Sequence, residues 1–375
     1  MTSNLESLPP SNLQETTAIL KKLALAHRQL AELKGFAVSI PNQSILIETL
    51  ALQEAKYSSA IENIITTQDA MFKQQVLGDI VSDPAAKEVS QYSDALKFGF
   101  ELVRQNHMLT VNHILGVHSR LVPSSQGIRK LPGTRLINPA TREVVYTPPQ
   151  DYETVRRLMD NLVKYINEPE IQDIDPLVKM AVIHYQFESI HPFYDGNGRV
   201  GRIINVLFLV LSDLLRLPIL YLSRYIIRNK SDYYTLLRTL PETGNWEPWV
   251  LYMLDAVEQT SKDTILLVNE IRGLMLQYKH GIREKLPKIY SQDLINNLFR
   301  HPYTKIDFVI RDLKVTRPTA SKYLGALVKN GFLQKAKIGT SNYYINAPLF
   351  NLFAKDSQAN SEGEEVEIMT SEEQV

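Results

Sequence analysis

The sequence predicts a mainly α-helical protein: a large helical body carrying one short β-hairpin, then a small C-terminal winged helix-turn-helix. Three observations predict it. Apolar residues recur at helical spacing through most of the chain as far as about Lys279. One stretch, Pro132–Pro149, breaks the pattern with Gly, Asn-Pro and Pro-Pro punctuation. From about residue 286 the order becomes helix, helix, helix, hairpin, and the charge turns basic.

Taken in order, residues 1–14 are rich in Ser, Asn and Pro and read as a loose arm. Leu20–Leu33 and Ser44–Ala70 carry helical periodicity. Pro84 breaks the chain, and Ala86–Gln105 and Thr110–Leu121 read as further helices. Thr134–Ile137 and Glu143–Tyr146 are the expected strands of the hairpin. Helices resume at Tyr152. Asp175 before Pro176 is a helix start, a capping carboxylate followed by proline in the first turn. A helix is expected over Ile203–Leu215. In the last module the helices are Ser291–Phe299, Lys305–Leu313 and Pro318–Asn330. Leu333–Lys337 and Tyr343–Ile345 then flank a turn at Gly339-Thr340-Ser341. The boundaries implied are 1–104, 105–285, 286–354 and an acidic, disordered tail over 355–375.

The composition excludes several classes of function. With 375 residues, 44% of them apolar and 22% charged, the chain can bury cores in two or three domains. It has no cysteine, so disulfides, thiolate metal sites and cysteine nucleophiles are ruled out. No apolar run approaches the roughly 20 residues of a membrane span, and the N-terminus lacks a signal-peptide pattern. A cytoplasmic protein without membrane contact is expected. The net charge of zero hides an asymmetry. Residues 286–354 hold ten Lys/Arg against three Asp/Glu, and the tail holds Lys355 against Asp356 and six Glu. The basic module suits contact with DNA phosphates, and winged helices equally serve protein contacts.

Residues 191–202 read His-Pro-Phe-Tyr-Asp-Gly-Asn-Gly-Arg-Val-Gly-Arg. A Gly-Asn-Gly turn entering a helix leaves backbone N–H groups pointing outward, a cradle for an anion. Arg199 and Arg202 lie on one side of the first turn and can approach one polyanion. Asp195 at the mouth can share Mg²⁺ with phosphate oxygens. His191 can act as a general base. Gly196-x-Gly198-x-x-Gly201 also fits a dinucleotide fingerprint, but a helix rather than a strand precedes it. A zinc set of His184, Glu188 and His191 has no recognised spacing.

This string resembles the signature of the Fic family, His-x-Phe-x-Asp/Glu-Gly-Asn-Gly-Arg-x-x-Arg, at every fixed position. The resemblance implies an all-helical core with the motif loop between two central helices. It implies transfer of AMP from ATP to a Tyr, Ser or Thr hydroxyl of a target protein, and of the chain itself. His191 would then be the general base and Asp195 the Mg²⁺ ligand. Gly196, Asn197, Gly198 and Arg199 would hold the phosphates, with Gly201 in the same nucleotide-binding set, and Arg202 would grip the γ-phosphate. The hairpin at 133–148 resembles the flap on which the target docks, and Tyr233 and Tyr234 fall at the spacing of the adenine pocket. A homodimer is also expected on the resemblance.

Ser58-x-x-x-Glu62-Asn63 matches the family's inhibitory motif. Glu62 would take the place of the γ-phosphate on Arg202 and leave ATP unproductive. Two alternatives stay open: removal of AMP at the same site, and a DNA-binding regulator using residues 286–354 with the Fic core as sensor.

Overall fold

The structure, a computed structural model, describes residues 5–40, 42–77, 83–137, 144–338 and 341–358. Fifteen α-helices and five short strands lie among them, so the fold is mainly α as expected. The chain divides into two compact units, Met1–Arg272 and Gly273–Val375. That division falls earlier than residue 286, and the residues of the expected 1–104 region share the first unit with the core.

The first unit begins with α1 (Thr17–Ala37), α2 (Gln43–Ile61), α3 (Gln68–Leu77), α4 (Pro84–Asn106) and α5 (Val111–Leu121). Residues 5–14 are not a loose arm. The Leu8 N–H donates to Asn161 Oδ1 at 2.7 Å, Gln186 Nε2 donates to the Glu6 carbonyl at 2.8 Å, and Leu8 and Leu13 are buried. The single helix expected over 44–70 is two. Asn63 takes a left-handed conformation, with φ of 63°. Its N–H bonds Ala60 O and the Ile64 N–H bonds Ser59 O, both at 3.0 Å, a Schellman closure that ends α2 and leaves Glu62 as its last cap. Asn is one of the few side chains that tolerates this geometry.

Strands β1 (Leu136–Ile137) and β2 (Val144–Tyr146) pair antiparallel. The rest of that hairpin, 138–143, lies outside the described residues. α6 (Tyr152–Asn167) follows, then α7 (Pro176–Ile190), capped by Asp175 Oδ1 on the Leu177 N–H at 2.8 Å. α8 (Asn197–Leu211) begins at the glycine turn itself and stops short of Leu215. The unit is completed by α9 (Ser223–Arg228), α10 (Lys230–Thr243) and the part of α11 (Glu247–Lys285) up to Arg272. α7 and α8 pack on each other as the central pair, buried on nearly all sides. α2 packs against α4, α8 and α9 and is likewise buried around most of its circumference. Its Glu62 end therefore reaches the start of α8.

In the second unit the order is α12 (Gln292–Arg300), β3 (Tyr303–Thr304), α13 (Ile306–Leu313), α14 (Arg317–Lys329), β4 (Gln334–Ile338), β5 (Ser341–Ile345) and α15 (Ala347–Gln358). The sheet runs β3-β5-β4, all antiparallel. Leu294, Leu298, Val309, Leu324, Leu327 and Phe353 form its buried core. This is the expected winged helix-turn-helix, with a two-residue third strand and a last helix that the sequence reading lacked. α15 carries Lys355–Gln358, so the tail expected from 355 begins inside a helix. Residues 359–375 and the turn residues Gly339 and Thr340 lie outside the described set.

Candidate active site

His191 ends α7. It takes a left-handed backbone, φ 48°, and its N–H caps the helix on Phe187 O at 3.0 Å. The chain must turn there to enter the loop 192–196. Asn197 braces that loop: its Oδ1 accepts from the Phe193 N–H and its Nδ2 donates to the Phe193 carbonyl, both at 2.8 Å. The sequence reading put this side chain on phosphate, but its amide is turned inward onto Phe193. Gly196 caps α8 with φ of 76°, where a Cβ would also meet Val122 Cγ2 at 3.1 Å. The result is a helix N-terminus with free N–H groups, facing a cavity of about 710 Å³ lined in part by His191, Asp195, Gly198 and Arg202. That volume is in the range of small-molecule sites, about 300–1,000 Å³.

The two arginines converge on one carboxylate. Arg202 Nη2 donates to Glu62 Oε1 at 2.8 Å, and Arg199 Nε lies 2.9 Å from Glu62 Oε2 as an ion pair without hydrogen-bond alignment. Ser58 completes the grip. Its hydroxyl accepts from Arg202 Nε at 2.7 Å and its carbonyl from Nη2 at 3.0 Å. Both guanidinium groups are almost wholly buried. Burial opposes the Arg202 charge, yet Glu62, then Tyr233 and Glu188, raise its pKa overall. Gly198 makes the contact possible, because a Cβ there would stand 2.7 Å from Glu62 Oε1 and 2.9 Å from Arg202 Nη1. Glu62 thus sits as the anion at the positive end of α8 while closing the negative end of its own helix, α2.

Asp195 is exposed at the cavity edge. Its Oδ1 accepts from the Gly196 N–H at 2.7 Å, and Oδ2 lies 3.4 Å from Arg199 Nη2. Among the described residues no group of three or more acidic or histidine side chains could hold a metal by itself. A hard carboxylate at the cavity edge suits Mg²⁺ that brings phosphate oxygens as its other ligands. Tyr233 is buried, its hydroxyl 2.9 Å from His184 Nε2, whereas Tyr234 is about half exposed on the cavity wall. Lys230 Nζ reaches Asn63 Oδ1 at 3.5 Å.

His191 is held neutral. Burial, helped by the Arg129 charge, lowers its pKa to about 4, and the Glu188 carbonyl opposes this weakly. Glu188, three residues earlier, has its pKa raised to about 7 by burial.

Sequence reasoning missed several residues of the site. Arg129 is buried and clamps the end of α7. Its Nε donates to His191 O at 2.8 Å and its Nη2 to Ile190 O at 3.3 Å and to Pro149 O, while its own N–H donates to Pro192 O at 2.9 Å. These carbonyls are orphaned where a helix ends. Glu88 of α4 takes Arg199 Nη1 at 3.0 Å. His118 stacks on Phe193 and bonds the Asp195 carbonyl at 2.9 Å. No local pattern marks any of the three.

Residues 20–101 match the Fic/DOC family N-terminal domain, 108–209 the Fic/DOC family, and 274–349 the "protein adenylyltransferase SoFic-like, C-terminal domain". Among curated relatives, "Protein adenylyltransferase Fic" of Drosophila erecta is 24% identical over 270 residues, 69% of this chain and 51% of the relative. "Protein adenylyltransferase fic-1" of Caenorhabditis elegans is 25% identical over 175 residues, 44% of this chain and 32% of the relative. The chain thus spans about a third to about half of these relatives' length. A Fic family protein from Desulfovibrio desulfuricans superposes with a TM-score of 0.57 at 20% identity, covering 90% of this chain and 98% of that one. A Fic-domain signaling protein from Bacteroides thetaiotaomicron gives 0.54 at 18% identity, covering 65% and 97%. These two likenesses show the fold. No helix among the described residues is long and apolar enough to cross a membrane.

Proposed function

The chain carries two Fic/DOC family domains, and from that premise we propose that it is a self-inhibited transferase that moves AMP from ATP to a protein hydroxyl. The observation that carries the reading is the α8 N-terminus, where buried Arg202, a carboxylate at the mouth and a neutral histidine line one cavity, and buried Arg199 meets Arg202 on Glu62. Transfer of a nucleotidyl group needs positioning, charge neutralisation and an in-line nucleophile.

In this reading the target oxygen attacks the α-phosphorus. The bond from that phosphorus to the bridging oxygen of the β-phosphate breaks, pyrophosphate leaves, and His191 accepts the hydroxyl proton. A histidine neutral down to about pH 4 is ready for that role at neutral pH. The N–H groups of Gly198 and its neighbours, with Arg199 and Arg202, bind the phosphates, and Tyr234 lies against the adenine. Asp195 would hold Mg²⁺, which would supply neutralisation of the phosphate charge. The target lies extended beside the β1–β2 hairpin, where Val144 and Val145 are exposed at the cavity rim.

Glu62 is the brake. It already occupies Arg202, the group that would take the γ-phosphate. Intact-mass spectrometry of the Glu62→Gly protein with ATP and Mg²⁺, alone and with cell lysate, tests the reading. Gain of an AMP moiety on this chain or on a lysate protein is expected. No adduct on any protein, with ATP still bound, would contradict it.

A further inference from the structure

The second unit carries a surface that the AMP-transfer reading does not use. α13 and α14 are joined by a three-residue turn, 314–316, in which Lys314 takes φ of 55°. α14 buries Ala320, Leu324 and Leu327 in the core. Its opposite face shows Ser321, Lys322, Gly325 and Lys329, spaced along one side of the helix, with Arg317 and Pro318 exposed at its start. On β4, Lys335 and Lys337 are exposed two residues apart, so they point to one side of the wing.

These lysines are uncompensated. Among the described residues no ion pair or side-chain hydrogen bond engages Lys314, Lys322, Lys329, Lys335 or Lys337. The nearby acids are spent elsewhere. Asp312 takes Asn297 Nδ2 at 2.8 Å, Arg311 Nε at 2.7 Å and Arg300 Nη1 at 3.3 Å, and Asp307 takes Arg317 at 3.0 Å. Asp293 stands in the first turn of α12. None of the large apolar side chains described from residue 286 onward is exposed. A protein-docking helix would offer an apolar anchor, and this face offers cations, a hydroxyl and a glycine.

We propose that the second unit binds duplex DNA, with α14 in the major groove, Lys322 and Lys329 on the phosphates at its edges, and Lys335 and Lys337 on flanking phosphates. The turn, the exposed helix and the basic wing are the parts such a dock requires. This is a second activity, independent of AMP transfer.

Fluorescence anisotropy of the full chain on a short mixed-sequence duplex, titrated with salt, tests the proposal. Four lysines on phosphate predict a slope of log affinity against log salt of about −3 to −4, and a loss of roughly a hundredfold between about 50 and 200 mM. Replacing both wing lysines, Lys335→Ala with Lys337→Ala, should reduce the slope by about 2, and arginine at both positions should restore it. Circular dichroism confirms that the variants stay folded. No binding at low salt, or a slope unmoved by the alanine pair, would overturn the proposal. Equal binding to duplex RNA would overturn it too, because the narrow A-form major groove does not admit a helix.

Discussion

The Glu62 carboxylate lies 2.8 Å from the guanidinium of Arg202, although the two residues stand 140 positions apart and on different helices. The Schellman turn at Asn63 fixes where α2 ends, and Gly198 leaves the room that the pair fills. A carboxylate closing a helix C-terminus is opposed by that helix's dipole, by about 0.3–1 kcal/mol, so its place depends on its partners.

Glu62→Gly should therefore raise AMP transfer at least tenfold. The attraction displaced is worth up to about 4 kcal/mol at an effective dielectric near 20, before desolvation. The variant leaves Arg202 buried without its paired carboxylate, so its melting temperature should fall and ATP should restore more of it than in the wild type. Differential scanning fluorimetry with and without ATP reads this. Equal ATP-induced shifts in the two proteins would contradict it.

Asn63→Val should act in the same direction as Glu62→Gly, without touching a charge. A β-branched residue resists a φ of 63°, so the turn and the Glu62 position should both loosen. Transfer by the variant should exceed that of the wild type, while Asn63→Gly should stay inhibited.

His191→Ala should abolish transfer and keep ATP binding. In a Glu62→Gly background with His191 intact, the acid limb of kcat/KM should lie well below pH 6.5, towards about pH 4, because the histidine pKa is lowered and its neutral form persists. An acid limb near pH 6.5 would show that His191 is not the group whose ionisation limits the rate.

Arg129→Gln should move that limb upward. Arg129 lowers the His191 pKa by its charge and fixes the His191 carbonyl at 2.8 Å. Histidine NMR titration should show the His191 pKa rising, which a loss of packing alone would not produce.

Stability against pH should be nearly level between pH 7 and 5. Buried His184 and His191 have pKa values lowered to about 3 and 4, so the unfolded state binds more protons below pH 6.5 and acid destabilises. Buried Glu54 and Glu188 have theirs raised to about 7, so the native state binds more protons between pH 4.5 and 7 and acid stabilises. Glu54→Gln removes one opposing group. Urea unfolding of that variant should show about 2 kcal/mol more loss than wild type from pH 7 to 5. An unchanged pH dependence would contradict the assignment.

Local patterns carried the motif loop and the winged unit into the sequence reading. Asp175-Pro176 marks the start of α7, and Gly196-Asn197-Gly198 marks the start of α8, because capping and positive φ restrict residue choice. The end of α2 was hidden, since Asn63 fits a helical pattern until its φ is known. Arg129 and Glu88 were illegible for another reason. They stand 62 and 111 residues from His191 and Arg199, and only tertiary packing joins them. Residues 5–14 read as loose because their anchors, Asn161 and Gln186, lie on distant helices.

The most direct test of the account is transfer of label from α-labelled ATP with Mg²⁺, comparing wild type, Glu62→Gly and Glu62→Gly/His191→Ala in buffer and in cell lysate. The account predicts strong labelling by Glu62→Gly, little by the wild type and none by the double variant. Equal labelling by wild type and Glu62→Gly, or labelling that survives His191→Ala, would contradict it.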